Sequence, residues 1–108
     1  MSIIISTLRI VTAARSRPNV LRALGAQLGP TRVQSGCLKC ELYQGIEDPD
    51  VITLVEEWAS HADLSARLRS DEYRAVLAAI ELSREQPEIH FDTVVRRGGL
   101  EIIASARA

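Results

Sequence analysis

Residues 36–73 read GCLKCELYQGIEDPDVITLVEEWASHADLSARLRSDEY, and this stretch decides the fold. Two segments with apolar residues at every second position flank the turn Glu47-Asp48-Pro49-Asp50. The first, 37–46, places Leu38, Cys40, Leu42 and Ile46 on one face and Lys39, Glu41 and Tyr43 on the other; the second, 51–58, places Ile52, Leu54, Glu56 and Trp58 on one parity. So short a connection makes the pair an antiparallel hairpin. The hairpin runs into a helical pattern over 61–82, with Ser60 as N-cap and Asp63 three residues on in a near-version of the capping box. Leu64 and Leu68, then Tyr73, Val76, Leu77 and Ile80, repeat at helical spacing, with a bend expected near Ser70. Arg67, Arg69 and Arg74 lie among these positions, and most of them are expected to face solvent.

Upstream, residues 2–12 are aliphatic on both parities: Ile3, Ile5 and Val11 on one side, Ile4, Leu8 and Ile10 on the other. A strand apolar on both faces is covered on both. One face meets helices, and in a chain this short a partner subunit is a candidate cover for the second. Ser16 then caps a helix over about 17–28, with Pro18 in the first turn and Val20, Leu21, Leu24 and Leu28 on one stripe; Gly29-Pro30 is expected to end or kink it. Downstream, 88–95 alternates Ile89, Phe91, Thr93 and Val95 against His90, Asp92 and Val94, and Leu100–Ile103 is a short apolar tail expected to add a fifth strand at an edge. The order is β-α-β-β-α-β, a ferredoxin-like α+β arrangement with an antiparallel sheet.

A length of 108 residues fits one domain, here spanning 1–108, with a core of normal size. The net charge of -1 and the scatter of twelve Arg and one Lys along the chain leave no basic footprint for nucleic acid. The Arg bias suggests a GC-rich bacterial genome. The longest apolar run, Ile3-Ile4-Ile5, is far short of a membrane span, and no basic segment precedes it as in a secretory signal, so the expected location is cytoplasmic. Cys37 and Cys40 form a Cys-x-x-Cys inside a strand, where i and i+3 point to opposite faces, and neither a second Cys pair nor a nearby His completes a zinc site. They read as two reduced packing residues, and no metal is expected.

Thr31-Arg32, Gly36-Cys37, Tyr43, Asp48-Pro49, Glu57-Trp58, Leu64, Ser70 and Tyr73, in that order and spacing over about two-thirds of the chain, resemble the antibiotic biosynthesis monooxygenase family. The resemblance implies a dimeric α/β barrel, in which the sheets of two ferredoxin-like subunits meet face to face and each subunit keeps a pocket between helices and sheet. It implies a cofactor-independent monooxygenase acting on a small aromatic, quinol-type or enolisable substrate. The alternative is a non-catalytic dimeric small-molecule-binding protein of the same fold. Where many relatives carry His in Leu-x-x-His this chain has Arg67, which stays charged and does not act as a base near neutral pH. Haem degradation in the family needs a His on the second helix, and none occurs between residues 62 and 89.

The candidate catalytic residues are therefore His90, as the best available general base, and Arg67, as a stabiliser of a phenolate or enolate. Each has a structural alternative: a sheet-face histidine at an interface or in solvent, and a solvated arginine with a buried stem. Trp58, Tyr43 and Tyr73 are candidate substrate-binding residues. Trp58 is equally a core residue, and Tyr73 shares helical spacing with Leu77 and Ile80, which favours packing.

Overall fold

A computed structural model describes residues 2–108. Four strands, β1 (Ile3–Val11), β2 (Cys37–Gln44), β3 (Val51–Trp58) and β4 (Glu88–Val94), form one sheet in the order β2-β3-β1-β4, every neighbouring pair antiparallel. This is the ferredoxin-like topology that the order of patterns implies. Helices α1 (Arg17–Arg32), α2 (His61–Arg69) and α3 (Arg74–Glu81) pack on one side of it, and α4 (Leu100–Ala106) follows β4. Among the described residues no helix is long and apolar enough to cross a membrane.

The two-sided first strand is central because its Ile4, Leu8 and Ile10 are all buried under the helices. Opposite them in β3, Ile52 and Leu54 complete the same face, and Val20, Leu24, Val76 and Ala79 close it from above. Ile3 and Ile5 face the other way and are only half covered, as are Val51, Thr53 and Val55 beside them. Val11, expected on that open side, is instead 2% exposed, because the chain after α3 returns alongside it: Ser83 Oγ accepts from the Val11 N–H at 3.1 Å.

Several sequence expectations are corrected. α1 does not stop at Gly29-Pro30 but runs through Pro30 to Arg32. Buried Thr31 and the Arg32 side chain, whose Nε donates to the Cys40 carbonyl at 2.9 Å, hold the last turn against β2 despite the missing proline N–H. β2 carries a bulge between Cys37 and Lys39, so Leu38 is the extra residue and is exposed; Ile46 lies beyond the strand, fully exposed. The bulge also brings Cys37 (opposite Trp58) and Cys40 (opposite Glu56) onto the same, helix-facing side rather than onto opposite faces. The apolar tail is not a fifth strand but α4. Its Leu100, Glu101, Ala104 and Ala106 favour helix, and Glu101 reaches back to accept from the Gly99 N–H at 2.8 Å.

The bend expected near Ser70 is present. Ser70 is extended (ψ 152°), its Oγ donates to the Arg67 carbonyl at 2.7 Å, and a single 3-10 turn, Asp71–Tyr73, leads into α3. That break ends α2 just after Arg67 and drops Tyr73 into the core.

Candidate functional site

The main departure from the sequence reading is Arg67. It sits on α2 at a position expected to be solvated, yet it is 1% exposed. The sheet supplies its partner from an equally unusual place. Glu56 is the one acid on the apolar parity of β3, and it is 2% exposed. Arg67 Nε donates to Glu56 Oε1 at 3.1 Å and Nη2 donates to Oε2 at 2.9 Å, the parallel two-bond geometry in which a guanidinium matches a carboxylate.

Trp58, two residues along and on the same face, donates its Nε1–H to Glu56 Oε1 at 3.0 Å. Tyr73 lies under the guanidinium, with Arg67 Cζ 5.1 Å from the ring centroid, a cation–π contact. Ile4 and Leu64 pack against Trp58 and seal the cluster. One atom is left over. Arg67 Nη1 is buried and has no hydrogen-bond partner among the described residues, although buried donors are nearly always paired.

The structure thus gathers Arg67, Trp58 and Tyr73 into one buried group between helices and sheet. His90 and Tyr43 are elsewhere. His90 is opposite Thr7 on the uncovered face of the sheet and exposed, and Tyr43 is opposite Thr53 on that same face, at the other edge strand. Within one chain these two do not meet the Arg67 group. Glu57, on the open face, is held by Arg97 Nη2 at 3.0 Å.

Glu56 is the residue that sequence reasoning missed. Its signal was present: a single acid in the apolar phase of a strand, and a single Arg at apolar helix spacing three residues after Leu64, are each anomalous, and the two together make a pair.

The site's electrostatics act on its neighbours. Burial pushes the Cys40 thiol up to about 12, with the Glu56 carboxylate adding to the effect, and burial followed by Glu56 likewise raises Tyr73 and Cys37. Both cysteines are free. A thiol raised on folding supports the folded state while it is protonated, and that support is lost as pH climbs from the unfolded value near 9 through the folded one. The denaturation midpoint is expected to fall between pH 9 and 12, and to fall less in Cys40→Ala. Equal slopes for the two proteins would show that Cys40 is not the group responsible.

Two open concavities lie away from this group. One, of about 340 Å³, is an apolar groove between α1 and α3 lined by Val20, Ala23, Ala75, Ala78 and Leu82 among others. The other, of about 460 Å³, is beside the β2–β3 turn and lined by Arg9, Glu47, Asp48 and Val51 among others. Among the described residues, no three of His, Cys, Asp and Glu lie together in a way that would hold a metal ion.

Comparison with solved structures returns the same architecture. A conserved protein from Methanosarcina mazei Go1 superimposes with a TM-score of 0.78 at 22% identity, over 85% of this chain and 92% of that one. Rv0793 from Mycobacterium tuberculosis gives 0.81 at 20% identity, over 91% and 100%. A solved antibiotic biosynthesis monooxygenase gives 0.77 at 19% identity, over 86% and 99%. At these identities the likeness is one of fold. No curated protein matches the sequence. The family model for antibiotic biosynthesis monooxygenases, however, matches residues 2–79, from the first strand through the Arg67 group to α3. On that match over most of its length, the chain belongs to the antibiotic biosynthesis monooxygenase family.

Proposed function

We propose that this protein is a cofactor-independent monooxygenase, working as a homodimer on a small aromatic, quinol-type substrate. The observation that carries the reading is the unpartnered Nη1 of buried Arg67, a fixed donor in the layer between helices and sheet. Such a donor, oriented in advance and shielded from water, favours a reaction in which charge develops on a substrate oxygen. Loss of a proton from an activated CH₂ gives a carbanion whose charge spreads onto that oxygen, and the carbanion reduces O₂. The sum is CH₂ + O₂ → C=O + H₂O, so O₂ is the only oxidant required. Glu56 does not serve as the base, since both its oxygens already accept N–H bonds. The proton passes to water, because His90 lies on the opposite face of the sheet from Arg67.

Dimerisation is supported by that open face, where Ile3, Ile5, Val51 and Val55 lack full cover within one chain. A sedimentation mass close to that of one chain at assay concentration would count against it.

The test is O₂ consumption without added metal or flavin, across quinols and anthrone-like phenols. The double variant Glu56→Leu/Arg67→Met, which removes the whole ion pair, is expected to lose at least tenfold in rate while His90→Ala keeps it, a factor of ten being one ordinary hydrogen-bond's worth of transition-state stabilisation. The reverse pattern would move the chemistry to the open face. The alternative of a non-catalytic binding protein is favoured by one observation: Arg67 is 1% exposed and already paired, so the site is closed in this conformation. Ligand binding with no O₂ uptake on any of the panel would select it.

A further inference from the structure

An arginine deep in a ligand layer is ordinarily read as an anion trap, but here Glu56 reverses that reading. The Arg67–Glu56 pair is net neutral, bound through two N–H···O contacts at 2.9 and 3.1 Å with both side chains no more than 2% exposed. A third charge brought beside it, a carboxylate or a ready-made phenolate, would leave the buried site with a net -1, and unbalanced buried charge is costly. What the pair still offers is the pair of N–H bonds on Nη1. These point away from the Nε/Nη2 edge that holds Glu56, and nothing among the described residues accepts them. The geometry points to Arg67 Nη1 as a subsite for a neutral carbonyl oxygen, with Glu56 as the positioning residue that excludes permanently charged ligands. This assignment rests on the proposal that a small molecule binds between helices and sheet.

The register of the sheet indicates where the rest of such a ligand would lie. Glu56, Ser6 and Phe91 are consecutive neighbours in one row across β3, β1 and β4, all on the helix-facing side. Ser6 is 6% exposed, whereas Phe91 and its strand neighbour Ile89 are 45% and 40% exposed, so the helix layer ends over β1 and leaves the inner face of β4 bare. Two strand spacings separate Glu56 from Phe91, roughly 10 Å, which is the length of a fused aromatic ring system. A planar aryl ketone would set its carbonyl at Arg67 and its rings over Ser6 and Phe91. Such a ligand is neutral when it binds and gains charge on the same oxygen when an α-proton leaves. The neutral pair therefore favours the transition state over the ground state, which is the difference that accelerates a reaction.

The test uses three unreactive probes of matched shape: 1-tetralone, its ring without the oxygen (tetralin), and 1-naphthoate. Trp58, the one Trp in the chain, donates to Glu56 and so reports from inside the site by its fluorescence. In the native protein 1-tetralone is expected to bind about tenfold more tightly than tetralin, the worth of one hydrogen bond, and at least tenfold more tightly than 1-naphthoate. In Glu56→Gln the site carries a net positive charge, and the order of ketone and carboxylate is expected to invert. A native protein that prefers 1-naphthoate, binds ketone and hydrocarbon alike, or binds none of the three overturns the assignment, and the last result would leave Nη1 to an internal water. These readouts stand on the native protein even if Glu56→Gln fails to fold. They are also separable from turnover: the tetralone preference without O₂ uptake keeps the subsite and rejects the oxygenase, whereas O₂ uptake without the preference does the converse.

Discussion

Replacing Glu56 by Ala is expected to remove about 3–5 kcal/mol of folding stability, the usual cost of stranding one member of a buried ion pair. The reason lies in what stays behind. Arg67 is 1% exposed, with its guanidinium packed over the Tyr73 ring, so once Glu56 is gone the charge left in that layer has no counter-ion. Its Nε and Nη2, and the Trp58 Nε1–H, would join Nη1 as donors without acceptors. Urea denaturation followed by circular dichroism measures the loss.

Two comparisons make the result diagnostic. The exposed pair Arg9–Glu88, 3.3 Å apart with side chains 42% and 55% exposed, should cost no more than about 1 kcal/mol when broken by Glu88→Ala. The double variant Glu56→Leu/Arg67→Met removes both charges together and should recover most of the single-variant loss, since an apolar replacement of a buried pair is often neutral or stabilising. A Glu56→Ala loss under about 1 kcal/mol, or a double variant as unstable as the single, would mean that the pair is not held in a dry layer. Recovery in the double variant would also show that the pair is not there for stability, which is the condition under which a functional use of Arg67 becomes the better explanation of its presence.

The fold was legible because it rests on periods. Strand, helix, hairpin and strand each announce themselves through Leu, Ile and Val spacing, and the hairpin turn at Asp48-Pro49 fixes β2 against β3. The errors fall where a period is ambiguous. In β2 an extra residue shifts the phase by one, and Leu38, Cys40 and Leu42 still look continuous, so the bulge that turns Leu38 outward leaves no mark in the alternation. At the end of the chain, three or four apolar residues fit a helix stripe as well as a strand, and Ala104 and Ala106 tip the balance. For the site, parity already placed Tyr43 with Lys39 and Glu41 on the polar side, and the structure keeps it there, 48% exposed. What parity alone does not give is which residues from different elements meet. The Glu56–Arg67 contact joins a strand to a helix eleven residues on, and it is readable only by treating each charge in an apolar phase as a question that the other answers.

Trp58→Ala is expected to cost about 3–5 kcal/mol, the range for deleting a large buried aromatic. Trp58 is 1% exposed at the end of β3, with Ile4 and Leu64 packed on it and Cys37 opposite. Little there can collapse to refill the space: Ile4 is locked in the β1–β3 ladder, directly across from Trp58, and Leu64 belongs to the first turns of α2. Trp58→Phe separates packing from polarity. It keeps most of the ring volume but removes the N–H that binds Glu56 Oε1 at 3.0 Å, so the expected loss is smaller, about 1–2 kcal/mol, combining one hydrogen bond to a charged group with a modest void. The same Oε1 still accepts from Arg67 Nε, so the carboxylate is not orphaned and Arg67 keeps its orientation. Circular dichroism during denaturation serves for both variants, since each lacks the only indole. If the two variants lose equal stability, the hydrogen bond and not the ring holds Trp58 in place. If the Phe variant loses little and still prefers 1-tetralone to 1-naphthoate by absorbance-detected dialysis, selection belongs to the Glu56–Arg67 pair and Trp58 is its packing wall. That division follows from the geometry: the indole touches one oxygen of the carboxylate, whereas the guanidinium spans both and alone retains donors to spare.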